Sequence, residues 1–207
     1  MYKAAQLSNP WFNGTAVAIA HNSPQFCLAL REAKIFLNYE KVSSFMFDSK
    51  VCKPGKQAKK ACIVPKVGCV NFVGNLRIGP KFNFKKVKNL KFIYGSLIVK
   101  NSSLTDFKVF ENLLEIVQLN STKLAIDVQG NKNLQSATFP KLKRIYSANT
   151  VGVLFKNNHN SLKFDSKSCI SIRSAMLRAG PVCTCSPIFD DLKCEEMEQW
   201  KKQTGRK

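Results

Sequence analysis

The chain has 207 residues, is 44% hydrophobic and carries 33 Lys and Arg against 13 Asp and Glu, a formal charge of +20. This length and apolar content suit one domain of ordinary size plus an accessory segment, and they exclude a disordered chain. No run approaches the ~20 apolar residues of a membrane-spanning helix.

The first fifty residues read as an N-terminal accessory segment. They open on a poor secretory leader: Lys3 is followed by a stretch broken at Asn9, Pro10 and Asn13, and only Ala16 to Ala20 is apolar. The expectation is a fragment, a missing true start, or a non-secretory compartment. Ser23-Pro24 reads as N-cap and first helical position, and Phe26, Leu30, Ala33 and Leu37 then recur at helical spacing. The spacing predicts a helix over 24–38 whose apolar stripe is a packing face. Residues 52–69 are lysine-rich and bounded by cysteines, with Pro54-Gly55 as turn material, and read as a cap or loop.

From about residue 70 to 165 the chain repeats itself. A short apolar phrase ending in isoleucine occurs as Asn89-Leu90-Lys91-Phe92-Ile93, as Asn112-Leu113-Leu114-Glu115-Ile116 and as Lys141-Leu142-Lys143-Arg144-Ile145. A strand follows each: Gly95-Ser96-Leu97-Ile98-Val99, Leu124-Ala125-Ile126-Asp127-Val128 and Val151-Gly152-Val153-Leu154-Phe155, with an earlier copy at Gly74-Asn75-Leu76-Arg77-Ile78. The spacing of 21 to 29 residues lies in the range of solenoids. One such unit cannot bury its apolar face alone. Stacked units share a Leu, Ile and Phe interior, with strands of successive turns paired in parallel and their asparagines stacked. The alternative, a generic α/β domain, lacks crossover helices between most of these strands.

Residues 169–207 hold four cysteines, an acidic stretch and a basic end, and read as a C-terminal cap in which Cys169 bridges to Cys183 or Cys185. Residues 186–207 beyond it read as a tail. Eight cysteines in all favour a disulfide framework in an oxidising compartment. A zinc site around Cys169, Cys183, Cys185 and Cys194 is the rival, but no CxxC pair is present and neither His21 nor His159 has a cysteine at finger-like spacing.

These residues resemble the receptor L domain, the ligand-binding domain of insulin- and EGF-type receptors. Gly68-Cys69-Val70-Asn71-Phe72-Val73-Gly74-Asn75-Leu76-Arg77-Ile78 is similar to its opening, and Leu90 to Val99 to its next coil. Phe110 to Ile116 and Phe139 to Ile145 are similar to later coils. The resemblance covers residues 51–185 and implies a mainly β fold: a right-handed parallel β-helix of leucine-rich-repeat-like coils closed by disulfides at both ends. It implies a Cys52–Cys69 bridge, which leaves Cys62 without a partner. The family occurs in receptor ectodomains and in secreted or membrane-anchored nematode proteins, and it binds proteins or peptide hormones on a sheet face.

Between Asp48 and Asp106 there is no acidic residue but thirteen basic ones. Such a field attracts polyanions. In an oxidising compartment that means a sulfated glycan or anionic lipid rather than nucleic acid, and Lys85, Lys86, Lys88 and Lys91 are the candidate contacts. Plain solvation of a basic face is the competing reading. Asn13, Asn101 and Asn120 open glycosylation triplets. Asn120 reads as a loop site, whereas Asn101 stands three residues before Leu104 as Asn131 does before Leu134, where a solenoid asparagine turns inward. No nucleophile, zinc, phosphate-loop or dinucleotide motif appears, so neither catalysis nor a cofactor is expected. The expected function is a non-catalytic extracellular module that recognises a protein or peptide on the strands near Leu76, Leu97, Ile126 and Val153 and modulates insulin- or EGF-like signalling. The alternatives are a matrix-associated protein held by sulfated glycans and a truncated copy without function.

Overall fold

The computed structural model describes residues 15–20, 23, 25–37, 42–55, 60–149, 151–177, 187–194, 196 and 199. It is mainly β, built on parallel sheets with few helices. In chain order the elements are β1 (Thr15–Ala20), α1 (Leu30–Leu37), β2 (Val42–Asp48), β3 (Ala61–Cys62), β4 (Asn71–Val73), β5 (Leu76–Ile78), β6 (Phe92–Tyr94), β7 (Leu97–Lys100), β8 (Glu115–Gln118), β9 (Ile126–Gln129), β10 (Arg144–Ser147), β11 (Val153–Lys156), α2 (Ser166–Leu177), β12 (Ile188–Phe189) and β13 (Leu192–Lys193).

Each repeat contributes two strands, one to each of two sheets. The first sheet runs β3-β4-β6-β8-β10 and the second β5-β7-β9-β11-β12-β13, parallel throughout except for the antiparallel β12–β13 pair. The isoleucine-ending phrases therefore do more than precede a strand, because their last residues belong to the first sheet. Side chains alternate across a strand, so register decides which rows meet. Phe72, Ile93, Ile116 and Ile145 stand in register and buried in the first sheet; Leu76, Leu97, Ile126 and Val153 do so in the second. Both rows enter one core, which the connecting segments complete with Leu90, Leu104, Phe107, Phe110, Leu113, Leu134 and Phe139.

The corner between the two strands of a repeat is tight. Gly95 has φ +144°, and a Cβ there would lie 2.2 Å from the Gly74 carbonyl oxygen of the preceding pass, so only glycine fits. At the far end of the second-sheet strands, Asn101, Gly130 and Asn157 all take positive φ and turn the chain inward. The next residue in each pass, Ser102, Asn131 and Asn158, is buried. Asn131 accepts from the Ser102 amide at 2.8 Å and its hydroxyl at 2.7 Å, and donates to the carbonyls of Val99 and Gln129. It also donates to Asn158 Oδ1 at 2.9 Å. The inward place expected for Asn101 thus belongs to Ser102. The strand register pairs Lys100 with Gln129, which aligns Asn101 with Gly130 and leaves Asn101 exposed.

Several sequence expectations are corrected. The helix begins at Leu30, not at residue 24, because Leu28 is extended and bridges Val51 through Leu28 N–H to the Lys50 carbonyl and Cys52 N–H to the Leu28 carbonyl. Ala29 N–H bonds the Glu32 carboxylate at 2.8 Å at the helix start. Cys52 pairs with Cys27, not Cys69, since the parallel bridge at Leu28–Val51 places their neighbours side by side. Cys69 pairs with Cys62 across the turn that joins β3 to β4. Cys169, in the first turn of α2, pairs with Cys194 just after β13, not with Cys183 or Cys185, which lie outside the described residues. The second sheet also continues past residue 185, for β12 extends β11 and stacks Phe189 on Phe155 with ring centroids 4.4 Å apart. Helix α2 buries Cys169, Ile172, Ala175 and Met176 over the C-terminal end of the core. Peptide mapping under non-reducing conditions should return Cys27–Cys52, Cys62–Cys69 and Cys169–Cys194; recovery of a Cys52–Cys69 peptide would contradict the fold at its N-terminal end.

Candidate binding surface

The outer face of the first sheet is covered by the chain itself. Its row Val73, Tyr94, Val117 and Tyr146 forms a second apolar cluster with Leu28, Ala33 and Leu119, and Phe26, Leu30, Phe36 and Leu37 pack against it. Polar contacts fasten this cover. Arg144 reaches Glu115 at 2.7 Å and the Leu37 carbonyl at 2.9 Å. Lys34 lies 5.0 Å from the centre of the Phe92 ring and donates to Asn71. Asp48 accepts from the Ser121 amide and hydroxyl. Burial, reinforced by the charge of Glu115, raises the Tyr94 phenol above its ordinary pKa, so it stays protonated.

The outer face of the second sheet has no such cover among the described residues. One residue along from each buried position, Arg77, Ile98, Asp127, Leu154 and Ile188 line up across five strands. Ile98, Leu154 and Ile188 are half-buried and Arg77 is exposed. Asp127 sits among them, held by Lys100 at 3.1 Å and by the Gln129 amide at 2.6 Å. Lys100 and Lys156 frame the row on one side. The strands near Leu76, Leu97, Ile126 and Val153 do carry this face, but those four side chains point into the core; the presented residues are their neighbours. The Arg at the middle of Leu76-Arg77-Ile78 is the sequence signal for that alternation. Asp127 repeats it in β9, whereas apolar Ile98 and Leu154 obscure it in β7 and β11.

A groove of about 280 Å³ runs along the glycine corners, lined by Lys50, Tyr94, Gly95, Asn120 and Lys123 among others. Asn120 is half-buried at its rim, and its Oδ1 accepts from the amide and hydroxyl of Thr122 within its own triplet. Asn13 lies outside the described residues. Lys85, Lys86, Lys88 and Lys91 are all exposed on the first repeat, with Lys88 4.0 Å from Glu111. His159 caps a short 3-10 turn by accepting from the Ser161 amide at 3.2 Å. Among the described residues, no group of His, Cys, Asp or Glu is placed to hold a metal ion.

Stacked parallel strands over a shared apolar core, disulfides at both ends and a sheet face left uncovered among the described residues define a scaffold that presents a surface. Residues 68–173, half of the chain, match the receptor L domain model, and the chain belongs to that family. The family consists of extracellular ligand-binding modules, not enzymes. No curated protein and no solved structure matches the chain. Among the described residues no helix is long and apolar enough to cross a membrane.

Proposed function

We propose that this chain is a secreted or cell-surface binding module that recognises a protein or peptide ligand through the outer face of its second sheet and modulates insulin- or EGF-like signalling. The carrying observation is asymmetry: the chain's own N-terminal segment covers one sheet, while no described residue covers the row Arg77, Ile98, Asp127, Leu154 and Ile188 on the other. Half-buried aliphatic side chains edged by charges suit a protein interface, with an apolar centre and polar rim. In this reading the two sheets form a right-handed β-helix that runs from about residue 51 through β13, the described part of the N-terminal segment serves as accessory cover, and the exposed Asn101 and the half-buried Asn120 carry glycans. The test is an array of secreted proteins and ectodomains probed with the oxidised chain and with Leu154→Arg. A partner whose affinity falls at least about 30-fold in the variant supports the reading, as expected for a residue worth roughly 2 kcal/mol at an interface centre. Partners that bind both proteins equally, or none at all, would sink it.

The exposed cluster Lys85, Lys86, Lys88 and Lys91 favours a second reading, retention by a sulfated glycan. In that case heparin should hold the chain to higher salt than a cation exchanger of equal charge density. Equal elution would mean charge attraction alone.

A further inference from the structure

The Cys62–Cys69 disulfide closes a short loop whose tip is apolar and open to solvent. Ile63 is 50% exposed, Val64 66% and Val67 70%. Only five large hydrophobic side chains stand so exposed among the described residues, and three of them share this loop. Concentration on one bridged turn calls for an explanation that scattered surface leucines would not. The tip has a fixed base, because β3 pairs with β4 and the Lys60 carbonyl accepts the amides of Val70 and Asn71. Since β3 is the edge strand of the first sheet, the loop sits at the N-terminal end of the stack.

The surroundings of the loop are cationic. Lys60 and Lys66 flank the apolar tip and are exposed. The next pass of the chain carries exposed Lys81, Lys85, Lys86 and Lys88, and no acidic residue occurs between Asp48 and Asp106. Exposed apolar side chains on a bridged loop that itself carries lysine match an anionic bilayer surface, where hydrocarbon enters the headgroup boundary and ammonium groups meet phosphate. A sulfated glycan would use the lysines but has no place for Ile63, Val64 and Val67.

We propose that the 62–69 loop is a membrane-surface docking element: Ile63, Val64 and Val67 insert into an anionic lipid interface while Lys60, Lys66 and the lysines of the first repeat hold the headgroups. The element lies apart from the open second-sheet face and stands or falls independently of ligand binding there. The test is co-sedimentation of the full oxidised chain with phosphatidylcholine vesicles, with and without phosphatidylserine, at about 0.15 M salt. Binding is expected only with phosphatidylserine. The combined variant Ile63→Ser, Val64→Ser, Val67→Ser keeps every charge and should weaken it roughly a hundredfold. Lys60→Glu and Lys66→Glu should each weaken it roughly fivefold. Circular dichroism of each variant, unchanged from the parent, shows that the fold persists. Equal vesicle binding by the parent and the triple serine variant would reduce the contact to charge and overturn the proposal. So would a chain that ignores vesicles, whether or not heparin retains it beyond a matched cation exchanger.

Discussion

Replacing Asn131 by leucine is expected to lower the unfolding free energy by roughly 3–5 kcal/mol, because a buried polar group left without a partner costs ~1–3 kcal/mol and several are orphaned together. Asn131 is fully buried. Its side chain serves Ser102 in one pass and the carbonyls of Val99 and Gln129, and it joins Asn158 in the next. Asn158 in turn donates to the Val128 carbonyl. Leucine has the same number of side-chain heavy atoms but is bulkier, and it can neither accept from the Ser102 amide and hydroxyl nor donate to the Val99 carbonyl, while the Gln129 carbonyl keeps the Asn101 amide. Urea denaturation followed by circular dichroism would measure the loss, with Lys132→Ala on the adjacent exposed position expected to unfold like the parent. A change below about 1 kcal/mol would mean that the asparagine row is not the polar spine of these turns.

Phe107→Ala should cost about as much, ~3–5 kcal/mol, through a cavity rather than through lost hydrogen bonds. Phe107 is fully buried, 4.7 Å from the Phe139 ring centre, 5.7 Å from Phe110 and 6.3 Å from Phe155. These rings come from three successive passes of the chain, so the gap opens where the repeats meet and no single repeat can collapse into it. At roughly 2–4 °C per kcal/mol for a domain of this size, the midpoint of thermal unfolding should fall by about 10 °C. Phe107→Leu, which refills most of the volume, should recover more than half of that. If Phe107→Ala melted with the parent, the shared interior would not be the source of stability.

The parallel repeat architecture was legible because its cause is local. Leu76-Arg77-Ile78 and Ile126-Asp127-Val128 alternate at the period of a strand, Leu97-Ile98-Val99 and Val153-Leu154-Phe155 recur as short apolar runs in the same place of the repeat, and a turn-forming residue bounds each. The second strand in each repeat was less visible. The phrases ending at Ile93, Ile116 and Ile145 lead into strands that bury adjacent residues, Ile93 with Tyr94, Ile116 with Val117 and Ile145 with Tyr146, because both faces are covered, so no alternation marks them. Helix α2 was missed although Cys169, Ile172 and Met176 recur on one face; serines between them dilute the apolar stripe. Counting back from Leu104 gives Asn101 an inward place on equal terms with a glycan-bearing one. The asparagine turns differ in length, so only register shows that Ser102 occupies it.

The sequence by itself determined the repeating parallel-strand architecture, which follows from spacing within about thirty residues, and its resemblance to the receptor L domain is borne out by the family match. Tertiary structure alone decided three things: that Cys52 meets Cys27 and Cys69 meets Cys62, that α1 covers the outer face of the first sheet, and that no described residue covers the second. Each of these depends on which distant segments lie side by side. Local periodicity carries no record of that proximity, because a side chain leaving one face of a strand reads the same whether it meets water or another part of the chain.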